Sequence, residues 1–410
     1  MKSQIEYGLI GVGGFGVEHL AALRRLEQSG EIRLAAVCDP GIHRFSEVEA
    51  DLKNRKVRVY LDSDEMLAQE DNLAAVTIAA PIPFHDRMVK ACLARGVFVY
   101  LEKPPVPLLS QLDELIAADT DWKVAVGFQM IESDWSRQLK QWIASGELGD
   151  ILEIRAAACW PRPDSYYQRA KWAGRMAIDG EPVFDGPATN ALSHLIHNIM
   201  FLAASGPVEF DEPVEVQGEL YRARPIESYD VACMRGNFSS GTRFFAALTH
   251  ATEKPLPFQM EVVGTQGWAR VQEDGRLVES SLGSLRFKED VRDALLRSYV
   301  PFLGYIKGER SRPSTLLRDT RGYSLATNAM LESSGGIHTV GDKWIRRIAE
   351  NGNGLYSVQD LQETIADSLR APLLFSETEL PWAVKTTAVP IDDRKLRKTC
   401  LEEFSRRHPI

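Results

Sequence analysis

The chain is predicted to be an α/β protein, with a doubly wound parallel sheet first and an α+β domain with an open, mainly antiparallel sheet after it. Three observations predict this. Short apolar strands alternate with helical stretches through the first third. A glycine-rich turn joins the first strand to the first helix. After Phe128 the rhythm changes, and strand follows strand.

The elements read as follows. Residues 5–10 form an apolar run. Residues 15–29 place Val17, Leu20, Leu23 and Leu26 at helical spacing and stop at Gly30. Residues 32–38, 57–60, 74–79, 97–101 and 124–128 supply further apolar strands, with helical stretches such as 84–95, ended by Gly96, between them. Strands apolar on both faces suit a parallel sheet covered on both sides, and right-handed crossovers then give a doubly wound fold. A helix over 133–145 ends near Gly146, and strand-like runs follow at 151–158, 214–220, 231–238, 243–249, 260–264 and 267–271. The expected domains are 1–128 and 129–410. Segment 284–321 has nine Lys/Arg against five Asp/Glu, interrupted by Pro301 and Pro313, and reads as a partly helical, solvated insertion of the second domain. Residues 358–371 read as a late amphipathic helix.

Bulk properties exclude several classes. A chain of 410 residues is long enough for two cores. A net charge of −9 argues against a nucleic-acid or anionic-membrane partner. No apolar run approaches the ~20 residues of a membrane span. Met1-Lys2-Ser3-Gln4 leads at once into a strand, which leaves no room for a signal peptide or twin-arginine leader. The cysteines (Cys38, Cys92, Cys159, Cys233, Cys400) are scattered without a CxxC pair, so a reducing cytoplasm is expected.

Gly11-Val12-Gly13-Gly14-Phe15-Gly16 is a GxGxxG turn between an apolar strand and a helix, the context that marks a dinucleotide-binding Rossmann domain. The glycines permit the tight turn and the approach of backbone N–H groups to a pyrophosphate, which faces the helix N-terminus. Asp39 ends the second strand, where a carboxylate accepts from the adenosine ribose and repels a 2′-phosphate. NAD is therefore expected over NADP, with Arg44 nearby to soften the preference. Pro81 and His85 follow the fourth strand, and Glu102-Lys103-Pro104 follows the fifth. Both segments lie at the carboxyl edge of the sheet, where such folds bind ligands.

The glycine motif, the Pro81 to His85 segment, Ala91 to Gly96 and above all Glu102-Lys103-Pro104 resemble the Gfo/Idh/MocA family of nicotinamide-dependent oxidoreductases. The resemblance extends over Gly127-Phe128, the 146–149 turn and the late helix leading to Ser376. It implies action on sugars, inositols and related polyols. It also implies a homodimer or homotetramer built on the second sheet, a cis Lys103–Pro104 bond, and contact of Lys103 with the nicotinamide ribose and the reacting hydroxyl.

Asp185-Gly186-Pro187 reads as the start of a helix running to about Ser205 and stopped by Gly206-Pro207. Leu192, Leu195, Ile196, Ile199 and Leu202 form one stripe, and Asn190, His194, His197 and Asn198 form the other. A stripe of uncharged hydrogen-bonding groups suggests a polar cleft. By resemblance His194 matches the family histidine, and Asn190 stands where the family has Asp. His194 is read as the base or as a hydrogen-bonded structural histidine, and both readings stay open for His197. A metal is not expected, because HxxH alone is a poor zinc signature. Tyr167, Trp172, Arg175, His197, Asn198 and His338 are candidate contacts to a sugar.

The expected chemistry is hydride transfer between a secondary alcohol and NAD. Lys103 stabilises alkoxide charge, His194 takes the hydroxyl proton, and Asn190 orients substrate or His194. Two alternatives are an NAD-assisted glycoside elimination or hydrolysis without net redox, and a non-catalytic NAD- or sugar-sensing protein.

Overall fold

Strands buried on both faces build the first sheet. The computed structural model describes residues 4–206, 209–288, 291–350, 353–392 and 395–396. Pro207, Cys400 and the first three residues, on which parts of the helix-stop, thiol and leader expectations rest, lie outside the described residues. The chain divides into two units: Met1–Val106, Ser110–Glu132 and Asp290–Thr320 form one, and Pro107–Leu109, Ser133–Glu289 and Arg321–Ile410 form the other.

The first unit holds six parallel strands: β1 (Ile5–Ile10), β2 (Ile32–Cys38), β3 (Arg58–Tyr60), β4 (Ala75–Ile78), β5 (Phe98–Leu101) and β6 (Val124–Val126). Their order is β3-β2-β1-β4-β5-β6, with the switch point between β1 and β4. Helices α1 (Gly16–Gln28), α2 (Ser46–Asn54), α3 (Ser63–Gln69), α4 (His85–Leu93) and α5 (Leu109–Ala118) form the crossovers. His19, Leu20, Leu23 and Leu26 give α1 its buried face, at spacings of three and four.

Segment 290–320 corrects the expected domain boundary. Its helix, Val291–Ile306, belongs to the first unit. Leu295, Tyr299, Phe302 and Leu303 are buried in one core with Leu20, Leu23 and Tyr7. The surplus of basic residues had suggested a solvated surface, but the helix buries an apolar stripe between them.

The second unit begins with α6 (Asp134–Ala144), β7 (Ile151–Cys159) and α7 (Asp164–Gln168). A small hairpin, β8 (Ala177–Ile178) with β9 (Glu181–Pro182), precedes α8 (Ser193–Ala203). Then come β10 (Pro213–Arg222), β11 (Val231–Phe238), β12 (Arg243–Thr249), β13 (Leu256–Gly264), β14 (Trp268–Gln272), β15 (Leu277–Ser280) and β16 (Gly283–Arg286). With β17 (His338–Thr339) they order as β16-β15-β14-β13-β7-β12-β11-β10-β17. The pairs β7–β12 and β10–β17 are parallel and the others in this path antiparallel. A hairpin of β18 (Ile345–Glu350) and β19 (Asn353–Val358) leads to the late helix, Leu361–Asp367, which is shorter than its expected span, and β20 (Val389–Pro390) pairs β10.

The central strands of this sheet are not open on the face expected to seek a partner. Cys159, Tyr221, Cys233 and Phe245 are buried beneath Leu361, Ile365, Phe375 and Trp382 of the same chain. Polar seams fasten this cover: Arg155 donates to the Leu369 carbonyl at 2.6 Å, and Arg235 pairs with Glu377 at 2.8 Å.

Candidate active site

The first unit carries a cradle for a dinucleotide. Gly11 has φ +92, and a side chain there would meet the Ala79 carbonyl at 2.6 Å. A side chain at Gly16 would meet the Gly11 carbonyl at 2.4 Å. Both positions are therefore closed to any other residue. Gly14 has φ +55 and nothing within 4 Å, so this side of the turn is open. Val12 is fully buried, whereas Phe15 is exposed at the rim. Asp39 accepts from Val12 N at 2.8 Å and Gly41 N at 2.7 Å, one bond per oxygen. Each oxygen keeps a further acceptor position, which is what a ribose diol requires. These residues fit NAD: the open glycine turn suits the pyrophosphate, and Asp39 suits the ribose.

Glu102 and Lys103 follow β5, and the Lys103–Pro104 bond is cis. The Glu102 carboxylate turns inward, away from the direct cofactor contact expected of it. It meets His19 Nε2 at 2.8 Å and accepts from Lys103 N at 3.2 Å. His19 Nδ1 lies 2.7 Å from the Tyr299 hydroxyl, which lies 2.8 Å from Thr77 Oγ1, itself 3.0 Å from the Tyr7 hydroxyl. Burial pushes the pKa values of Tyr7 and Tyr299 up, so both phenols stay protonated. One direction then satisfies the chain: Tyr7 donates to Thr77, Thr77 to Tyr299, Tyr299 to His19, and His19 to Glu102. Gly127 leaves room for it, since a side chain there would come within 3.0 Å of Glu102 Oε1.

His85 also differs from expectation. Its ring is buried. Nε2 faces the Ala80 carbonyl at 2.9 Å, and Nδ1 faces those of Pro104 and Pro105 at 3.0 and 3.1 Å. Burial moves its pKa below the usual value against the pull of those carbonyls. A neutral ring has one N–H to donate to these carbonyls, and His85 fills the space between the Pro81 loop and the Lys103–Pro104 turn. Pro81 is exposed and extended, at the head of a short 3₁₀ turn.

In the second unit the predicted continuous helix is broken. A π-helical turn spans Pro187–Ala191, Leu192 leaves helical geometry, and α8 begins at Ser193. The polar stripe therefore does not form one open face. Asn190 and His194 are partly exposed, while His197 and Asn198 are fully buried. Asn198 accepts from Ser136 Oγ at 2.7 Å and donates to the His194 carbonyl at 3.0 Å. The His197 ring lies 4.9 Å from that of Phe210, and burial holds its pKa at about 3. Both residues pack inward, which corrects their expected role as sugar contacts.

The missing carboxylate has a neighbour that the helix reading overlooked. Asp185, read as part of a helix start, is buried and accepts from Asn190 Nδ2 at 2.7 Å and from Gly174 N at 2.7 Å. Tyr167 packs beneath Gly174. Trp172 is partly buried, with the Arg169 guanidinium 4.8 Å from its ring centroid. Arg175 is exposed and 3.9 Å from Glu227. His338 sits apart on β17, its Nε2 3.0 Å from the Ser334 carbonyl and its ring 5.7 Å from Tyr221. Its contacts belong to the sheet edge and not to the 185–194 turn. Asp185 had a faint sequence signal, an acid before Gly-Pro. His19 and Tyr299 had none, since 280 residues separate them.

Comparison with known proteins agrees with both halves. Residues 5–128 match the oxidoreductase family with an NAD-binding Rossmann fold. Residues 136–270 match the GFO/IDH/MocA C-terminal domain. Inositol 2-dehydrogenase of Serratia proteamaculans (strain 568) is 25% identical over 335 residues, 79% of this chain and 92% of that protein. The WlbA dehydrogenase from Bordetella pertussis, solved with NADH and UDP-GlcNAcA, shares the fold at TM-score 0.69 and 22% identity, over 81% of this chain and 97% of that one. The myo-inositol 2-dehydrogenase from Lactobacillus plantarum does so at TM-score 0.66 and 21% identity, over 81% and 97%. With a cofactor cradle in the first unit, a mixed sheet in the second and a family match on each, the chain belongs to the Gfo/Idh/MocA family of NAD-binding oxidoreductases.

Proposed function

We propose that this enzyme transfers hydride between NAD and a secondary alcohol of a sugar, inositol or related polyol, in one direction or the other. The observation that carries the proposal is the placement of Lys103. It leaves the carboxyl end of β5 in the same unit as the dinucleotide cradle, and the buried Glu102–His19 pair anchors its backbone. The relatives named inositol 2-dehydrogenase support the polyol class.

Bound NAD supplies the hydride acceptor. Lys103 Nζ donates to the substrate oxygen and stabilises the charge that grows there as its proton leaves. A ring nitrogen of His194 takes that proton. Asn190, held by Asp185, presents its carbonyl oxygen to the substrate or to His194. Asp39 selects NAD over NADP by accepting from the ribose hydroxyls.

We further infer a homodimer or homotetramer. Because the chain covers the central strands itself, the interface falls at the β14–β16 end, where Trp268, Leu282 and Leu285 are exposed. Light scattering should then give a mass well above the 45.8 kDa of one chain. Among the described residues four thiols are free and buried, which suits a cytoplasmic protein. The test of function is a screen of sugars and polyols with NAD and NADP, following absorbance of the reduced cofactor. Reduction with at least one polyol is expected, and no reduction across the panel in either direction would refute the proposal.

A further inference from the structure

Two arginines, Arg162 and Arg169, flank the ring of Tyr166. The Arg169 guanidinium lies 3.5 Å from the Tyr166 ring centroid and 4.8 Å from that of Trp172. Arg162 lies 4.6 Å from the same Tyr166 ring and 5.5 Å from Trp160. Their neighbour Arg224 is buried against Asp164. Among the described residues neither Arg162 nor Arg169 has a carboxylate within the 4.0 Å of an ion pair. Arg162 Nε is buried and meets no acceptor, and the Tyr167 hydroxyl is likewise buried without a hydrogen-bond partner.

Arg162, Tyr166 and Tyr167 are partly buried, and Arg169 stands exposed over them. A guanidinium stacked on a ring has its face covered while its in-plane N–H groups stay available, the geometry that grips a carboxylate or phosphate through two parallel bonds. Arg162 is the half-buried one, and a charge in that position without a counter-ion is costly and calls for a ligand, while Arg169 is exposed and spends one N–H on the Tyr166 carbonyl, with the rest of its fork free to face the same ligand. The local field agrees. Buried His250 is held at about 3, mainly by burial and then by the charges of Arg162, Arg169 and Arg224. The patch also adjoins the proposed chemistry. The Tyr166 ring lies 5.2 Å from that of Tyr167, Tyr167 packs under Gly174, and Gly174 N donates to the Asp185 carboxylate that holds Asn190.

We propose that Arg162 and Arg169 bind an oxyanion carried by the substrate, so that the enzyme acts on an acidic sugar or polyol, a carboxylate or a phosphate ester, in preference to a neutral one. This rests on the dehydrogenase reading above and names its substrate class. The stacked arginines fix the acid group, and the reacting hydroxyl is elsewhere on the same molecule.

The test is binding, kept separate from turnover. Protein loaded with NADH is titrated calorimetrically with glucose, glucuronate, gluconate, glucose 6-phosphate and inositol phosphate. At least one acid should bind about 10-fold or more tighter than glucose, and Arg162→Gln and Arg169→Gln should each remove about 10-fold of that affinity. Preference among the acids distinguishes carboxylate from phosphate. Thermal melting checks the fold, and Arg169→Lys, which keeps charge but loses the fork, should fall between wild type and Arg169→Gln. No acid binding tighter than glucose, or a preference that survives both substitutions, overturns the proposal. Arg-dependent acid binding without any NAD reduction leaves it standing and removes the dehydrogenase reading. Reduction of NAD by neutral polyols, indifferent to both arginines, does the reverse.

Discussion

Asn190 donates its side-chain N–H to Asp185 Oδ1 at 2.7 Å, and this bond decides which way the amide faces. With Nδ2 turned to Asp185, the amide's carbonyl oxygen points away from that carboxylate. An amide fixed in this way accepts a proton donor without carrying charge. Asn190, which stands where the resemblance expects an Asp, is thus backed by a carboxylate five residues earlier in the chain.

Asp185→Asn should release the amide and lower kcat about 10-fold or more, the value of a buried hydrogen bond to a charged group. Asn190→Asp would set two carboxylates together, so one would bind a proton well above the usual range and add an ionisation to the pH–rate profile. The swap Asp185→Asn with Asn190→Asp restores a single carboxylate and should recover most of the loss. Steady-state kinetics against pH checks all three variants, and a wild-type profile in Asp185→Asn would exclude the pair from the chemistry.

Asp39 shapes the turn, and the proposed ribose contact falls on the same two oxygens. Its oxygens hold Val12 N and Gly41 N. Asp39→Ala should weaken NAD binding about 10-fold and narrow the preference over NADP, since it removes acceptors from a shaped turn and a negative charge that repels a 2′-phosphate. Fluorescence titration with both cofactors measures this. Tighter binding of NADP by the wild type would contradict it.

Tyr299 ties a late segment of the chain to the first. Tyr299→Phe leaves His19 Nδ1 and Thr77 Oγ1 without their shared partner, which costs about 1–3 kcal/mol. The thermal transition of the first unit should drop accordingly, and kcat should fall more than cofactor affinity because Glu102 loses its support. An unchanged melting curve would mean the hydroxyl is dispensable.

The first sheet was legible because parallel strands buried on both faces read as unbroken apolar runs, and its turn because only glycine fits two of its positions. The Val291–Ile306 helix was not legible as part of that unit. Its apolar residues are interspersed with charges, and its partners lie far away in sequence. The extended Gly186 and the π-helical turn at Pro187–Ala191 hid the Asp185–Asn190 bond, since residues five apart do not share a face of a regular helix. The cover over the second sheet was invisible for a similar reason: Phe375 and Trp382 lie beyond any strand or helix long enough to show a period.

His197 gives a prediction about stability. Burial holds its pKa at about 3, against an ordinary 6.5. Between those values the unfolded chain binds a proton that the native state does not. The stability is therefore fully present above the ordinary value and is lost as pH falls toward the lower one. Two pH units into that window the loss is about 2–3 kcal/mol. His250, held as low mainly by burial, acts with the same sign and Asp230, lifted to about 6 by burial, with the opposite one, so the wild-type curve alone mixes them. The difference between wild type and His197→Gln isolates the histidine. The variant should gain on the wild type as pH is lowered, and melting curves that stay parallel would contradict this.

The central claim is net hydride transfer, and stoichiometry tests it most directly. With a substrate found by the screen, NADH formed and carbonyl product formed are measured together, for wild type and for Lys103→Met. One NADH per carbonyl is expected, with kcat in the variant lower by about 10²–10³ while NAD binding is retained. Substrate consumed without accumulation of NADH, or full turnover in Lys103→Met, would contradict the account.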